Sequence, residues 1–87
     1  MSKDAFDLVI GLGVSGRSVI RYLADQGMAV RALDTREAPA GLDQLRQQYP
    51  KLKIHTGGFK ASWMKRAQRL IVSPGVAVST PGLTIKR

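Results

Sequence analysis

The sequence predicts an α/β domain: an open parallel sheet of four or five strands with flanking helices. Three observations carry this prediction. Short apolar runs alternate with amphipathic stretches of helical period, the pattern that repeated βα units produce. The first run, Leu8-Val9-Ile10, is apolar without polar alternation, as expected of a strand covered on both faces. It passes at once into Gly11, Gly13 and Gly16 in G-x-G-x-x-G spacing, which reads as a tight strand-to-helix turn. The 87 residues contain no internal repeat or low-complexity segment, so residues 1–87 are expected to form one domain.

The elements follow in order. Asp7 to Ile10 is the first strand, and a helix begins at Val14 or Ser15 and runs to about Gln26. Val19, Ile20, Leu23 and Ala24 fall on one stripe of that helix, with Arg17, Arg21 and Asp25 on the other side. Gly27 supplies a helix-ending residue. Met28 to Leu33 is the second strand, and Glu37 to Gly41, with Pro39, is a loop. Leu42 to Tyr49 forms a short helix through Leu42, Leu45 and Tyr49, stopped by Pro50. Lys51 to His55 alternates polar and apolar residues, a more exposed strand closed by Gly57-Gly58. Phe59 to Ala67 is a weaker helix, Arg69 to Val72 the fourth strand, and Ser73-Pro74-Gly75 ends it. Residues 76–82 read as loop.

Composition narrows the function classes. Without cysteine there is no disulfide, thiolate metal site or cysteine nucleophile, which fits a reducing, cytoplasmic setting. The N-terminus carries acidic residues where an export signal has its basic region, and no stretch approaches the ~18 apolar residues of a membrane span. The net charge of +8 favours anions, yet the cations are dispersed and do not interleave with aromatics, so no nucleic-acid partner is expected. His55 is the single histidine, and Ser15, Ser18 and Ser73 have no base near in sequence. No catalytic set and no metal site are therefore predicted.

The candidate site lies at the carboxyl ends of the strands, where open α/β sheets bind ligands. Glycines let the main chain approach a phosphate, and the unpaired amides of a helix N-terminus suit an anion. Asp34 stands about 20 residues beyond the glycines, the position from which an acid reaches a ribose in dinucleotide-binding domains. Arg36 is an odd companion for NAD, although it suits a 2′-phosphate. A nucleotide or an NAD(P) dinucleotide is the expected ligand class, in a Rossmann-like domain. A phosphate loop of Gly-Lys-Ser/Thr type is absent, so ATP hydrolysis is not expected here.

Val9-Ile10-Gly11-Leu12-Gly13-Val14-Ser15-Gly16, then Leu33-Asp34-Thr35-Arg36, then Leu70-Ile71-Val72-Ser73-Pro74-Gly75-Val76 with Pro81 following, resemble in order and spacing the N-terminal domain of the Mur ligase family. The resemblance spans about residues 6–83 and is strongest to the D-glutamate-adding members. It implies a part of an ATP-dependent ligase of peptidoglycan synthesis that joins D-glutamate to UDP-MurNAc-L-alanine through an acyl-phosphate. The first domain of that family holds the UDP part of the substrate, a central domain carries the ATP loop and the metal ligands, and a third domain completes the site. By this resemblance ATP and Mg belong to the central domain, no cofactor to this chain, and the chain alone has no ligase activity. Amides near Val14 and Ser15, with Gly11, Gly13 and Gly16, would meet the diphosphate. Asp34, Thr35 and Arg36 would surround the uracil and its ribose, and Ser73, Pro74 and Gly75 would line the same pocket. The family continues with a further helix and strand, where this chain has Thr84-Ile85-Lys86-Arg87.

Overall fold

The computed structural model describes residues 5–73. Strands and helices alternate as β1 (Asp7–Ile10), α1 (Val14–Asp25), β2 (Val30–Asp34), α2 (Leu42–Gln48), β3 (Lys53–Thr56), α3 (Ala61–Arg66) and β4 (Arg69–Val72). The four strands form one sheet in the order β3-β2-β1-β4, and each neighbouring pair is parallel. Asp7 faces Val30 on one side and Arg69 on the other, and Ile10 faces Leu33 and Val72. The chain builds outward from β1 to β3, then returns to place β4 on the far side of β1. That reversal opens a crevice at the carboxyl end of β1, the place where such sheets receive ligands.

Both faces of the sheet are covered, which is why β1 reads as an unbroken apolar run. Side chains alternate between faces along a strand. Val9 and Ala32 pack with Ile20, Leu23 and Leu45 from α1 and α2. Leu8, Ile10 and Leu33 pack with Phe6, Met64, Ala67 and Leu70 on the face of α3. Phe6, Leu8, Val9, Ile10 and Leu33 are each at most 2% exposed, so the core sits on β1 and the end of β2.

Three elements begin later than the sequence predicts, among them β3, which starts at Lys53 instead of Lys51 because the Leu52 amide is still turned back onto the Tyr49 carbonyl at 3.0 Å. β2 starts at Val30 instead of Met28 because α1 ends in a Schellman arrangement: the Gly27 amide donates to the Ala24 carbonyl and the Met28 amide to the Leu23 carbonyl, each at 3.0 Å. Gly27 adopts φ +74°, so the chain turns there and Met28 completes the cap before pairing can start. α3 starts at Ala61 instead of Phe59 because Gly58 lies at φ 152° and Lys60 is extended. The Lys60 carbonyl then accepts from the Trp63 and Met64 amides at 3.1 Å. Residues 76–82, read from the sequence as loop, and residues 83–87 lie outside the described residues.

Part of the basic composition serves the fold. Asp7 is fully buried at the amino edge of β1, where it accepts from Gln68 Nε2 at 3.0 Å and from Arg69 Nη2 at 2.6 Å. The Arg31 guanidinium lies 4.0 Å from the Phe6 ring centre and 5.0 Å from that of Trp63, a cation held over two aromatic faces. Arg17 passes over Gly41, which sits at φ +85° at the start of α2; a Cβ there would strike the guanidinium.

Among the described glycines, the one set tightest against main chain is Gly16, on the first turn of α1. A Cβ at this position would overlap the Gly11 carbonyl oxygen and lie 3.6 Å from the Ser73 Cβ. The obstacle is main chain, which cannot swing aside. Gly16→Ala is expected to cost about 2 kcal/mol of stability, the scale of overpacking in a closed site. Gly13→Ala, with nothing within 4 Å of the added atom, should shift stability by less than about 1 kcal/mol. Urea unfolding of both variants checks the contrast.

Candidate functional site

The carboxyl edge is assembled from the ends of β1, β2, β3 and β4. The sheet ladder runs one residue past the strands, with the Gly11 amide donating to the Leu33 carbonyl and the Ser73 amide to the Ile10 carbonyl, both at 2.8 Å. The Gly57 amide donates to the Asp34 and Arg36 carbonyls at 3.0 and 3.1 Å, which holds the turn after β3 against the end of β2. Gly11 takes φ 97°, a conformation open to glycine, and turns the chain toward α1.

Gly13 is the residue before α1 and offers no side chain to cap it. The first bond inside the helix runs from the Arg17 amide to the Gly13 carbonyl at 3.0 Å. The amides of Val14, Ser15 and Gly16 precede that bond and have no carbonyl one turn back within the helix. No acidic residue occupies the first turn. Ser15 is exposed, Val14 is 75% exposed, and Gly13 faces open space. This end of α1 has unmet donors, a partial positive charge and room for an anion.

Asp34 closes the other side of the crevice and is 2% exposed. Its Oδ2 accepts from the Leu12 amide at 2.7 Å and from Arg36 Nη2 at 2.9 Å. Its Oδ1 accepts from the Arg36 amide at 2.8 Å and from Arg36 Nε at 3.1 Å. Burial pushes this carboxyl up, but the hydrogen bonds from Arg36, the Leu12 amide and the Arg36 charge outweigh it and hold the group below its ordinary value of 3.8. The Arg36 guanidinium stays 60% exposed at the rim, and Thr35 is exposed beside it.

The structure thus brings Gly11, Gly13, Val14, Ser15, Gly16, Asp34, Thr35, Arg36 and Ser73 to one edge. Pro74 and Gly75 lie outside the described residues. His55 is half-buried with its ring 6.0 Å from that of Trp63, in edge contact. Among the described residues no group of three or more acidic or histidine side chains could hold a metal ion, and no helix is long and apolar enough to cross a membrane. Sequence reasoning missed Leu12 as part of the site. Its contribution is a main-chain amide, which no residue type announces.

A parallel sheet reversing at β1, with a glycine-rich turn and an acidic strand end at its carboxyl edge, defines a Rossmann-like domain. The description "Mur ligase MurD-like, N-terminal domain" matches residues 5–86, and the chain belongs to this family. A UDP-N-acetylmuramoylalanine--D-glutamate ligase of Alcanivorax borkumensis is 72% identical over 83 residues, 95% of this chain and 19% of that protein. Proteins of the same name from Pseudomonas putida and Shewanella violacea are 43% and 41% identical, over 95% and 93% of this chain and 18% of each relative. The chain therefore spans about a fifth of the length of these relatives.

The depressed Asp34 carboxyl fixes a pH dependence. Because its folded value lies below the ordinary 3.8, its contribution to stability is present above about pH 3.8 and is lost as pH falls through the folded value. Arg36→Ala removes the guanidinium and moves the folded value back toward the ordinary one, so the variant has less of this stabilisation to lose on acidification than the wild type. Urea midpoints measured between about pH 6 and pH 3 should show Arg36→Ala the less stable chain near pH 6 and the two curves converging on the acid side.

Proposed function

We propose that this chain is the substrate-holding first domain of a ligase that adds D-glutamate to UDP-MurNAc-L-alanine in peptidoglycan synthesis, and that its carboxyl edge takes the uridine diphosphate. The observation that carries the reading is the uncapped start of α1 beside Gly13, where donors and space for a diphosphate coincide. Family membership supports the choice of ligand, since the relatives are named for the ligase reaction.

In this reading the amides of Val14, Ser15 and Gly16 donate to diphosphate oxygens, with the helix dipole adding attraction. Thr35 and the Arg36 guanidinium face the uracil and ribose, and Ser73 lines the same pocket, as the family resemblance also implies for Pro74 and Gly75. The domain orients its substrate and leaves the muramoyl-alanine carboxylate to groups elsewhere in the ligase. By the family resemblance, ATP and Mg belong to the central domain of such a ligase and no cofactor to this chain. Alone it binds and does not ligate. A cytoplasmic setting accords with the lack of cysteine.

An NAD(P) domain is the alternative, and Asp34 speaks against NAD. NAD uses the acid at the end of the second strand to accept ribose hydroxyls, whereas NADP places an arginine on its 2′-phosphate. Here four protein donors already occupy the carboxylate, about as many as its lone pairs allow.

Amide-resolved NMR titration tests the reading. UDP-MurNAc-L-alanine should shift residues 11–16, 34–36 and 73–75, while NAD and NADP leave them in place; the reverse result would overturn the assignment. Gly13→Val should remain folded and lose about tenfold or more in affinity for the UDP compound, about 1.4 kcal/mol, because its side chain fills the approach to the amides.

A further inference from the structure

The geometry assigns Asp34 as a positioning residue for the glycine-rich turn: its buried carboxylate fixes the main chain at Leu12 and so aims the amides that follow, without itself touching the ligand. For its effect on binding this inference rests on the diphosphate reading above. Its structural half stands on its own.

Two successive amides of the turn are tied to two successive residues of β2. Gly11 donates to the Leu33 carbonyl at 2.8 Å and Leu12 to the Asp34 carboxylate at 2.7 Å. The first bond continues the ladder of the sheet, and any residue at position 33 would supply it. The second depends on a side chain 22 residues away. It is charge-assisted, short and shielded from water, which places it among the stronger hydrogen bonds of a protein. The Leu12 side chain, 1% exposed, anchors the same residue in the core. Leu12 is thus pinned through both its amide and its side chain. Gly13, which follows it, has no Cβ to limit its dihedral angles, and its space is empty. Without a fixed point before it, this glycine would let the first turn of α1 sample many directions.

Arg36 completes the arrangement. Its amide and guanidinium occupy the remaining acceptor positions of Asp34, so the carboxylate is kept charged and pointed inward. An aspartate that bound ligand directly would keep an acceptor facing the crevice. This one spends its acceptors on the protein, and the donors at α1 are arranged before any ligand arrives. Such prior arrangement lowers the ordering cost of binding.

The test uses the nitrogen-15-labelled chain, wild type and Asp34→Asn, with UDP as the probe. In the wild type the Leu12 amide proton should lie far downfield and move upfield on acidification as Asp34 takes a proton. In Asp34→Asn it should move upfield at neutral pH, and the amides of residues 13–16 should shift with it although none bonds to Asp34. Affinity for UDP should fall about tenfold while the dispersion of the remaining spectrum is kept. A folded Asp34→Asn chain with unchanged shifts at residues 12–16 and UDP affinity within about twofold of wild type overturns the inference. If Asp34→Asn does not fold, the wild-type acid titration decides, and a Leu12 proton that ignores it overturns the inference. Wild-type chain that fails to bind UDP defeats the diphosphate reading instead, and the Leu12 titration still tests the brace.

Discussion

The carboxyl edge of this domain depends on one close approach, that of α1 to the turn leaving β1. Gly16 has no room for a single carbon beyond its main chain, because the Gly11 carbonyl stands where the Cβ would be. The end of β4 meets the same point through Ser73. Three elements therefore share one contact, which sets how close α1 lies to the turn, while the Leu12–Asp34 bond fixes the turn itself. A helix standing off by the width of a methyl group would start elsewhere, and its open amides would face another part of the crevice. The two other glycines of the motif serve different needs. Gly11 makes the turn, and Gly13 keeps space clear.

Much of this was legible in the residues. The apolar run of β1, the spacing of the glycines and the period of Ile20 and Leu23 are local signals, and they identify the sheet, the turn and α1 directly. The edge itself follows from chain order, since parallel strands joined by helices bring their carboxyl ends to one side. What could not be read was decided by partners distant in sequence or by main-chain donors. Asp34 looks like a ribose acceptor from its position, and only the fold reveals that Leu12 and Arg36 have claimed it. Asp7 looks like a polar interruption at the start of an apolar strand until Gln68 and Arg69 arrive beside it. The start of β2 depended on a helix cap that uses Met28, a choice between two local structures that composition leaves open.

The charge of the chain has a similar history. A formal +8 on 87 residues points toward polyanions when counted as a total. Within the fold, Arg31 stacks on Phe6 and Trp63, Arg36 and Arg69 pair with buried carboxylates, and Arg17 lies along the Gly13 carbonyl and over Gly41. These side chains cover apolar surface or balance buried acids, uses in which a guanidinium is better suited than an ammonium group. The remaining positive charge gives the domain a general attraction for anions. The geometry at α1 supplies the place for one.

The pairing of Asp7 with Gln68 and Arg69 has a consequence for how the chain assembles. These contacts join residues 61 and 62 positions apart, whereas the Leu12–Asp34 bond spans 22. The shorter loop closes first, at about 1 kcal/mol less entropy cost. The pairings of β1 with β2 and of β2 with β3 join neighbouring segments, whereas β4 crosses the longest separation in the sheet and carries the largest loop-closure cost. Until it docks, one side of β1 and the carboxylate of Asp7 remain in water. The completed domain thus contains a seam along β1 and β4, where the paired strands lie farthest apart in sequence.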